Sequence, residues 1–255
     1  MQAPDALRAQ VEEYLDRLAL SPDLQRQADS VRYALVGGKR VRAVICLATA
    51  EAAGARVEDA LPAAAALELV HAFSLVHDDL PGLDNDAERR GRPSVWAAFG
   101  EGVAVLAGDA LLAEAIRLAL SYPSPDLARE LVDATLGMIG GQYLDINGSE
   151  VDLAELHRLK TGRLFAAAVG LGLWVAGVPA PEQAPWRAFS EELGLLFQVV
   201  DDVLDGDGYA AELGVAEARA FAAQVATRSR ARLAALDADT AVLDEIVDGL
   251  AVRTA

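Results

Sequence analysis

Apolar residues recur every three or four positions along most of this chain. Leu7, Val11, Tyr14, Leu15 and Leu18 share one face of a helix over 5–19, as a 3.6-residue period requires. Ser21-Pro22 reads as an N-cap followed by proline at the first helical position, which predicts a helix to about Val36. Gly37-Gly38 breaks the pattern, and 39–53 is the next apolar helix, closed by Gly54. Residues 58–80 are apolar on more than one face, so this helix belongs in the centre of the molecule. Pro81-Gly82 ends it. Further helices are predicted over 94–121 (interrupted near Gly100 and Gly102), 126–145, 152–176 with Asp152 as N-cap, 187–205, 212–236 and 240–252. No run of β-branched residues alternates with period two. The pattern predicts an all-α, single-domain bundle of about ten helices over 1–255, with no linker and no internal repeat.

Composition narrows what such a bundle does. Of 255 residues, 53% are hydrophobic, enough for a large core. The net charge of −17 disfavours nucleic acid and anionic membrane as partners, and it makes any basic cluster exceptional. The single cysteine, Cys46, lies in an apolar run and reads as an inert buried thiol, which with the lack of disulfides fits a reducing cytoplasm. The N-terminus has no apolar signal core. The longest apolar run, 164–178, is too short to span a bilayer.

Two polar patches break the apolar pattern. SLVHDDLPGLDNDAERRGRP, at 74–93, gathers Asp78, Asp79, Asp84 and Asp86 before Arg89 and Arg90. FQVVDDVLD, at 197–205, places Asp201 and Asp205 four apart on one helix face, with Asp202 between. Like charges at that spacing are destabilising, and a helix of Phe, Val and Leu gains nothing in packing from them. Each patch alone is compatible with a solvated helix end. Together, at the ends of two distant helices, they describe a Mg²⁺ site that shares its ions with a phosphate ligand. The bend at Pro81-Gly82 lets Asp84 fold back beside Asp78. Few cations are available to face the same ligand. Gly37-Gly38-Lys39-Arg40-Val41-Arg42 opens a helix whose N-terminus attracts anions, Arg89-Arg90 lies on a turn, and Lys160-Thr161-Gly162 sits inside an apolar helix. His71 lies two turns before Asp78. Each also has a plain structural reading: a simple turn, a snorkelling lysine, a core histidine. His77 and His157 read as structural.

In order along the chain, GGKRVR (37–42), ELVHAFSLVHDDLPGLDNDAERRGRP (68–93), FGEGVAVLAGDAL (99–111), GQYLD (141–145), LKTGRLF (159–165) and FQVVDDVLD (197–205) resemble the trans-type isoprenyl diphosphate synthases, in particular the bacterial farnesyl diphosphate synthase branch. The resemblance spans 5 to about 208. It implies an isoprenoid synthase fold with a central active-site cavity, a homodimer, and condensation of isopentenyl diphosphate with dimethylallyl or geranyl diphosphate. It further implies three Mg²⁺ ions held by Asp78, Asp84 and Asp201, with Asp79, Asp202 and Asp205 in support or binding through water. Arg89 and Lys160 resemble the contacts to the allylic diphosphate. Lys39, Arg42, His71 and Arg90 resemble the isopentenyl diphosphate pocket, and the Thr161 carbonyl and Gln198 side chain resemble the groups that steady the allylic cation.

Product length in this family follows from what plugs the cavity below the first acidic motif. Phe73 sits about one and a half turns before Asp78, and its ring beside Ser74 points to farnesyl diphosphate, with geranylgeranyl diphosphate second. The chain departs from the family after Asp205. The glycine-aspartate is followed by GYAAELGVAEAR in place of a loop with two lysines and a TYP segment. That departure leaves open a deleted lid with slow turnover, a segment missing from this sequence, or a regulatory subunit of a heteromeric synthase. A class I terpene cyclase is a further alternative, but it would replace the second aspartate motif with an Asn/Ser/Glu arrangement.

Overall fold

The computed structural model describes residues 1–147 and 152–253. The chain opens with α1 (Pro4–Asp16), which buries Leu7, Val11 and Leu15. The helix expected from Ser21 is broken. Ser21 caps only a 3₁₀ turn, Pro22–Leu24, and Gln25 then takes a φ of 47° that no helix tolerates. The helix restarts as α2 (Gln27–Leu35), followed by α3 (Val41–Ala52) and α4 (Val57–Asp78). A two-residue antiparallel pair, Glu88–Arg89 with Arg92–Pro93, folds the arginine turn into a small hairpin that the periodicity did not predict.

Next come α5 (Val95–Phe99) and α6 (Glu101–Ala119), separated at Gly100 as expected. They are followed by α7 (Asp126–Asn147) and α8 (Leu153–His157), the latter capped by the Asp152 side chain. The predicted 152–176 helix is interrupted by a π-helical turn, Arg158–Gly162, before α9 (Arg163–Val175). The last four helices are α10 (Ala184–Asp205), a short α11 (Gly208–Leu213), α12 (Val215–Ala234) and α13 (Ala241–Val252).

Two hubs organise the packing. α4 touches α1, α2, α3, α6, α7 and α9, whereas α10 touches α9, α11, α12, α13 and the π turn. α9 packs against both. By length and composition α4 could cross a bilayer, but 67% of its apolar window is buried inside the protein. That apolarity is what a central helix needs. Cys46 is fully buried and burial pushes its thiol up to about 12, so it is inert as expected.

Candidate active site

The two hub helices end in the two aspartate pairs. At the end of α4 the chain turns back on itself. The Leu83 amide donates to the Leu80 carbonyl (2.9 Å) and the Asp84 amide to the Asp78 carbonyl (2.9 Å). The bend thus sets Asp84 beside Asp78. Burial is the chief reason that the Asp78 carboxyl is pushed up to about 6. Asp84 and Asp79 add to the rise, and Lys160 and Arg89 oppose it. At the end of α10 the Asp201 carboxyl is also raised, first by burial and then by Asp205, against Arg253, Lys39 and Arg42. Arg253, at the C-terminal end of α13, lies 3.7 Å from Asp201.

The second aspartate of each pair is spent on the protein. Asp79 is 2% exposed and accepts from Arg89 Nε at 2.8 Å. Asp202 is 3% exposed; it accepts from Gln198 Nε2 at 2.6 Å and from the Tyr209 amide at 2.8 Å. Sequence pattern alone grouped both with the metal ligands. Buried carboxylates must be paired, and here the partners are protein donors. Gln198, expected to steady a cation, therefore also holds Asp202. Asp205 is exposed at the helix end.

Four of the predicted anion contacts converge. Lys39, Arg42, His71 and Arg90 line one cleft of about 480 Å³, with Glu68, Arg92 and Phe197 completing its wall. The Gly37-Gly38 turn is built around an arginine. Arg90 Nη1 donates to the Gly37 carbonyl at 2.9 Å, and a Cβ on Gly38 (φ +114°) would come within 3.0 Å of that guanidinium. Neighbouring Arg40 is no ligand: Glu12 and Glu68 hold it at 2.9 and 3.2 Å. Arg42 lies over the Phe165 ring at 4.7 Å, and its buried Nε has no hydrogen-bond partner among the described residues. Burial and the charges of Arg42, Arg90, Arg40 and Arg89 hold His71 well below its ordinary pKa, which favours the neutral ring where it lines the cleft.

Lys160 and Thr161 ride on the π turn, wedged between two helices. A Cβ on Gly141 of α7 would stand 2.4 Å from the Lys160 amide, and one on Gly194 of α10 would stand 3.2 Å from Gly162 Cα. Lys160 pairs with Asp145 of α7, and Arg89 pairs with Asp79 and Asp86. The site therefore includes residues to which the sequence reading gave no role. Asp145 holds Lys160. Gln142, one turn earlier, has both amide atoms buried without a partner among the described residues. An amide between a Gly-Gly pair and an aspartate was the available signal. Phe73 is buried and packs against His77, whereas Ser74 turns its hydroxyl back to the His71 carbonyl at 3.0 Å.

Among the described residues no group of three or more carboxylates, histidines or cysteines encloses a metal ion. Asp78, Asp84 and Asp201 nevertheless offer hard oxygen donors, and burial leaves Asp78 and Asp201 short of compensating charge. That donor set fits Mg²⁺, which takes one or two carboxylates and completes its shell with water and phosphate oxygens.

Comparison with known proteins agrees with this arrangement. Residues 25–218 match the family model described as polyprenyl synthetase. The chain is 38% identical to farnesyl diphosphate synthase of Bacillus subtilis over 221 residues, covering 80% of this chain and 74% of that one. It is 42% identical to a geranylgeranyl diphosphate synthase of Cyanophora paradoxa over 193 residues, covering 69% of this chain but only 64% of the relative. In three dimensions it resembles a geranyltransferase of Legionella pneumophila, with a TM-score of 0.88 and 31% identity over 98% of this chain and 96% of that one. The chain has the isoprenoid synthase fold and belongs to the polyprenyl synthetase family.

Proposed function

We propose that this chain is a head-to-tail prenyltransferase. It would join isopentenyl diphosphate to dimethylallyl or geranyl diphosphate, release pyrophosphate and yield mainly farnesyl diphosphate. One observation carries the reading. In a chain of net charge −17, Lys39, Arg42, His71 and Arg90 converge on one cleft beside Phe197, one turn before Asp201. A cation cluster kept in such a background is there to bind an anion.

In this reading the cleft holds isopentenyl diphosphate, with neutral His71 donating a hydrogen bond while the cations carry the charge. Arg89 and Lys160 grip the allylic diphosphate. As its C–O bond breaks, the bonding pair leaves with pyrophosphate, and these two cations stabilise charge that is greatest in the transition state. The Thr161 carbonyl and the Gln198 side chain face the allylic cation. The isopentenyl π pair then forms the new C–C bond, and the proton lost goes to pyrophosphate. Asp78, Asp84 and Asp201 would hold Mg²⁺, three ions in all, with Asp205 acting through water or in support and the sealed Asp79 and Asp202 in support only. Bound there, Mg²⁺ neutralises charge on the leaving group. Phe73 is the floor that limits chain growth.

Incubation with labelled isopentenyl diphosphate, an allylic diphosphate and Mg²⁺ tests this. Chain-extended diphosphates are expected. Cyclic hydrocarbons would show a cyclase instead, and tight diphosphate binding without turnover would show a regulatory subunit. The identity to a geranylgeranyl diphosphate synthase favours a 20-carbon product as the second reading.

The partner expected is a second copy. Leu136, Ile139, Tyr143 and Ile146 form an exposed apolar stripe along α7, and Val105 and Leu106 are exposed on α6. An unpaired apolar face of this kind marks an interface. Leu136→Asp with Ile139→Asp is expected to turn a dimer into a monomer in analytical ultracentrifugation. A monomeric wild type would refute the dimer.

A further inference from the structure

We propose that His77 and Gly108 together hold Phe73 in place as the floor of the elongation cavity, so that this pair helps to set product length. The inference rests on the prenyltransferase reading above and adds two residues to its specificity apparatus. Phe73 and His77 are one turn apart on α4, with ring centroids 5.0 Å apart and planes at 73°. This edge-on geometry is a favoured one for ring pairs.

The imidazole is itself fixed from the far side. Its Nε2 lies 3.1 Å from the Val105 carbonyl of α6, to which it donates, and 4.0 Å from Asp109 Oδ1. The ring occupies a slot in α6 that exists only because residue 108 is glycine. A Cβ there would stand 2.2 Å from His77 Nε2 and 2.4 Å from Cδ2. Atoms cannot approach so closely, so any side chain at 108 expels the ring.

With the ring seated, Phe73 has a rigid wall one turn toward Asp78, and its own ring stays buried at 7% exposure. Without that wall, Phe73 gains a rotamer that opens the floor. Ser74 gives no such support, because its hydroxyl is bound to its own helix. A histidine serving only to join α4 to α6 would affect stability and leave product length alone. The two roles are therefore separable by a readout that does not depend on rate.

The test compares Phe73→Ala, His77→Ala and Gly108→Ala with geranyl diphosphate and excess isopentenyl diphosphate, resolving dephosphorylated products by chromatography. Phe73→Ala is expected to lengthen the products. His77→Ala removes the wall, and Gly108→Ala drives the ring out of its slot. Each is expected to raise the ratio of 20-carbon to 15-carbon product about tenfold, the response to a single-decade change in relative barrier. For a variant too slow to yield product, calorimetric affinities for farnesyl and geranylgeranyl diphosphate replace the product ratio, with the same tenfold shift toward the longer chain expected. Lengthening by Phe73→Ala with wild-type ratios in both other variants overturns the pair and leaves the floor standing. No lengthening in any of the three overturns both. A wild type that transfers no prenyl group refutes the function itself.

Discussion

Asp78-Asp79 closes α4 and Asp201-Asp202 lies in the last turn of α10: the same dipeptide near the C-terminal end of each hub helix. In both, the first carboxylate is partly open and raised chiefly by burial. In both, the second is nearly sealed and ties down the chain that follows. What differs is the tie. Asp79 is held by a guanidinium, so the hairpin carrying Arg89 is locked to α4 by charge. Asp202 is held by two neutral donors, the Gln198 amide and the Tyr209 N–H, so residues 206–213 are pinned to α10 by hydrogen bonds. A Cβ on Gly208 (φ +42°) would meet Asp202 Oδ2 at 2.2 Å, so glycine is needed where this segment folds back. The division teaches that the aspartates of an acidic motif are not equivalent: one is left partly open and its neighbour ties down the chain that follows.

The largest effect should separate those roles. Asp78→Ala and Asp201→Ala are each expected to lower kcat by about 10³ or more while leaving the fold intact by circular dichroism. Asp79→Asn and Asp202→Asn should lose far less at equal stability. Equal losses in all four would make the second aspartates ligands too and erase the distinction.

Stability should rank in the opposite sense. Asp79→Ala leaves Arg89 without its buried partner, and a loss of about 3 kcal/mol is expected in denaturant unfolding. Asp202→Ala orphans the Tyr209 N–H and one amide hydrogen of Gln198, for about 2 kcal/mol. In the second variant, amide exchange should accelerate first across 208–213. Protection that survives there would show that Tyr209 and Phe221, whose ring centroids are 5.6 Å apart, hold α11 without Asp202.

How far this arrangement could be read from sequence follows the same division. Helix existence was legible because 3.6-residue periodicity depends on neighbours, and the acidic pairs stood out against apolar helices. The break at Gln25, the π turn and the Arg89 hairpin were not legible, because each is imposed from a distance. The π turn exists where Gly141 and Gly194 let two helices press on 160–162. Nor does spacing say which of two adjacent aspartates is buried, since that depends on Arg89, ten residues later, and on Tyr209, seven later. Lys39 and Lys160, the chain's only lysines, stood out as candidates for the opposite reason: cations are rare partners for apolar helices, and both fall at glycine-marked breaks. The C-terminal cation near Asp201, Arg253, carried no local signal at all.

The smallest expected effect tests the open carboxylate directly. The Asp78 carboxyl rises from an unfolded value of 3.8 to about 6 in the fold. A raised carboxyl pKa favours the protonated form in the native state. Its stabilising contribution is complete below about pH 4 and is lost as pH rises through 6. Above that range the protein carries an uncompensated partly buried anion. Asp78→Asn should therefore raise stability at pH 7.5, by about 1–2 kcal/mol after allowing for the solvent that still screens the group, and should change little at pH 4. The measurement is the difference in unfolding free energy between variant and wild type across pH 4–8. Magnesium chloride alone should narrow that difference at pH 7.5, because a bound cation relieves in the wild type what the amide relieves in the variant. A difference that is flat with pH would mean that Asp78 is not strained by its surroundings. The contrast between an open first aspartate and a sealed second one would then fail at the α4 end.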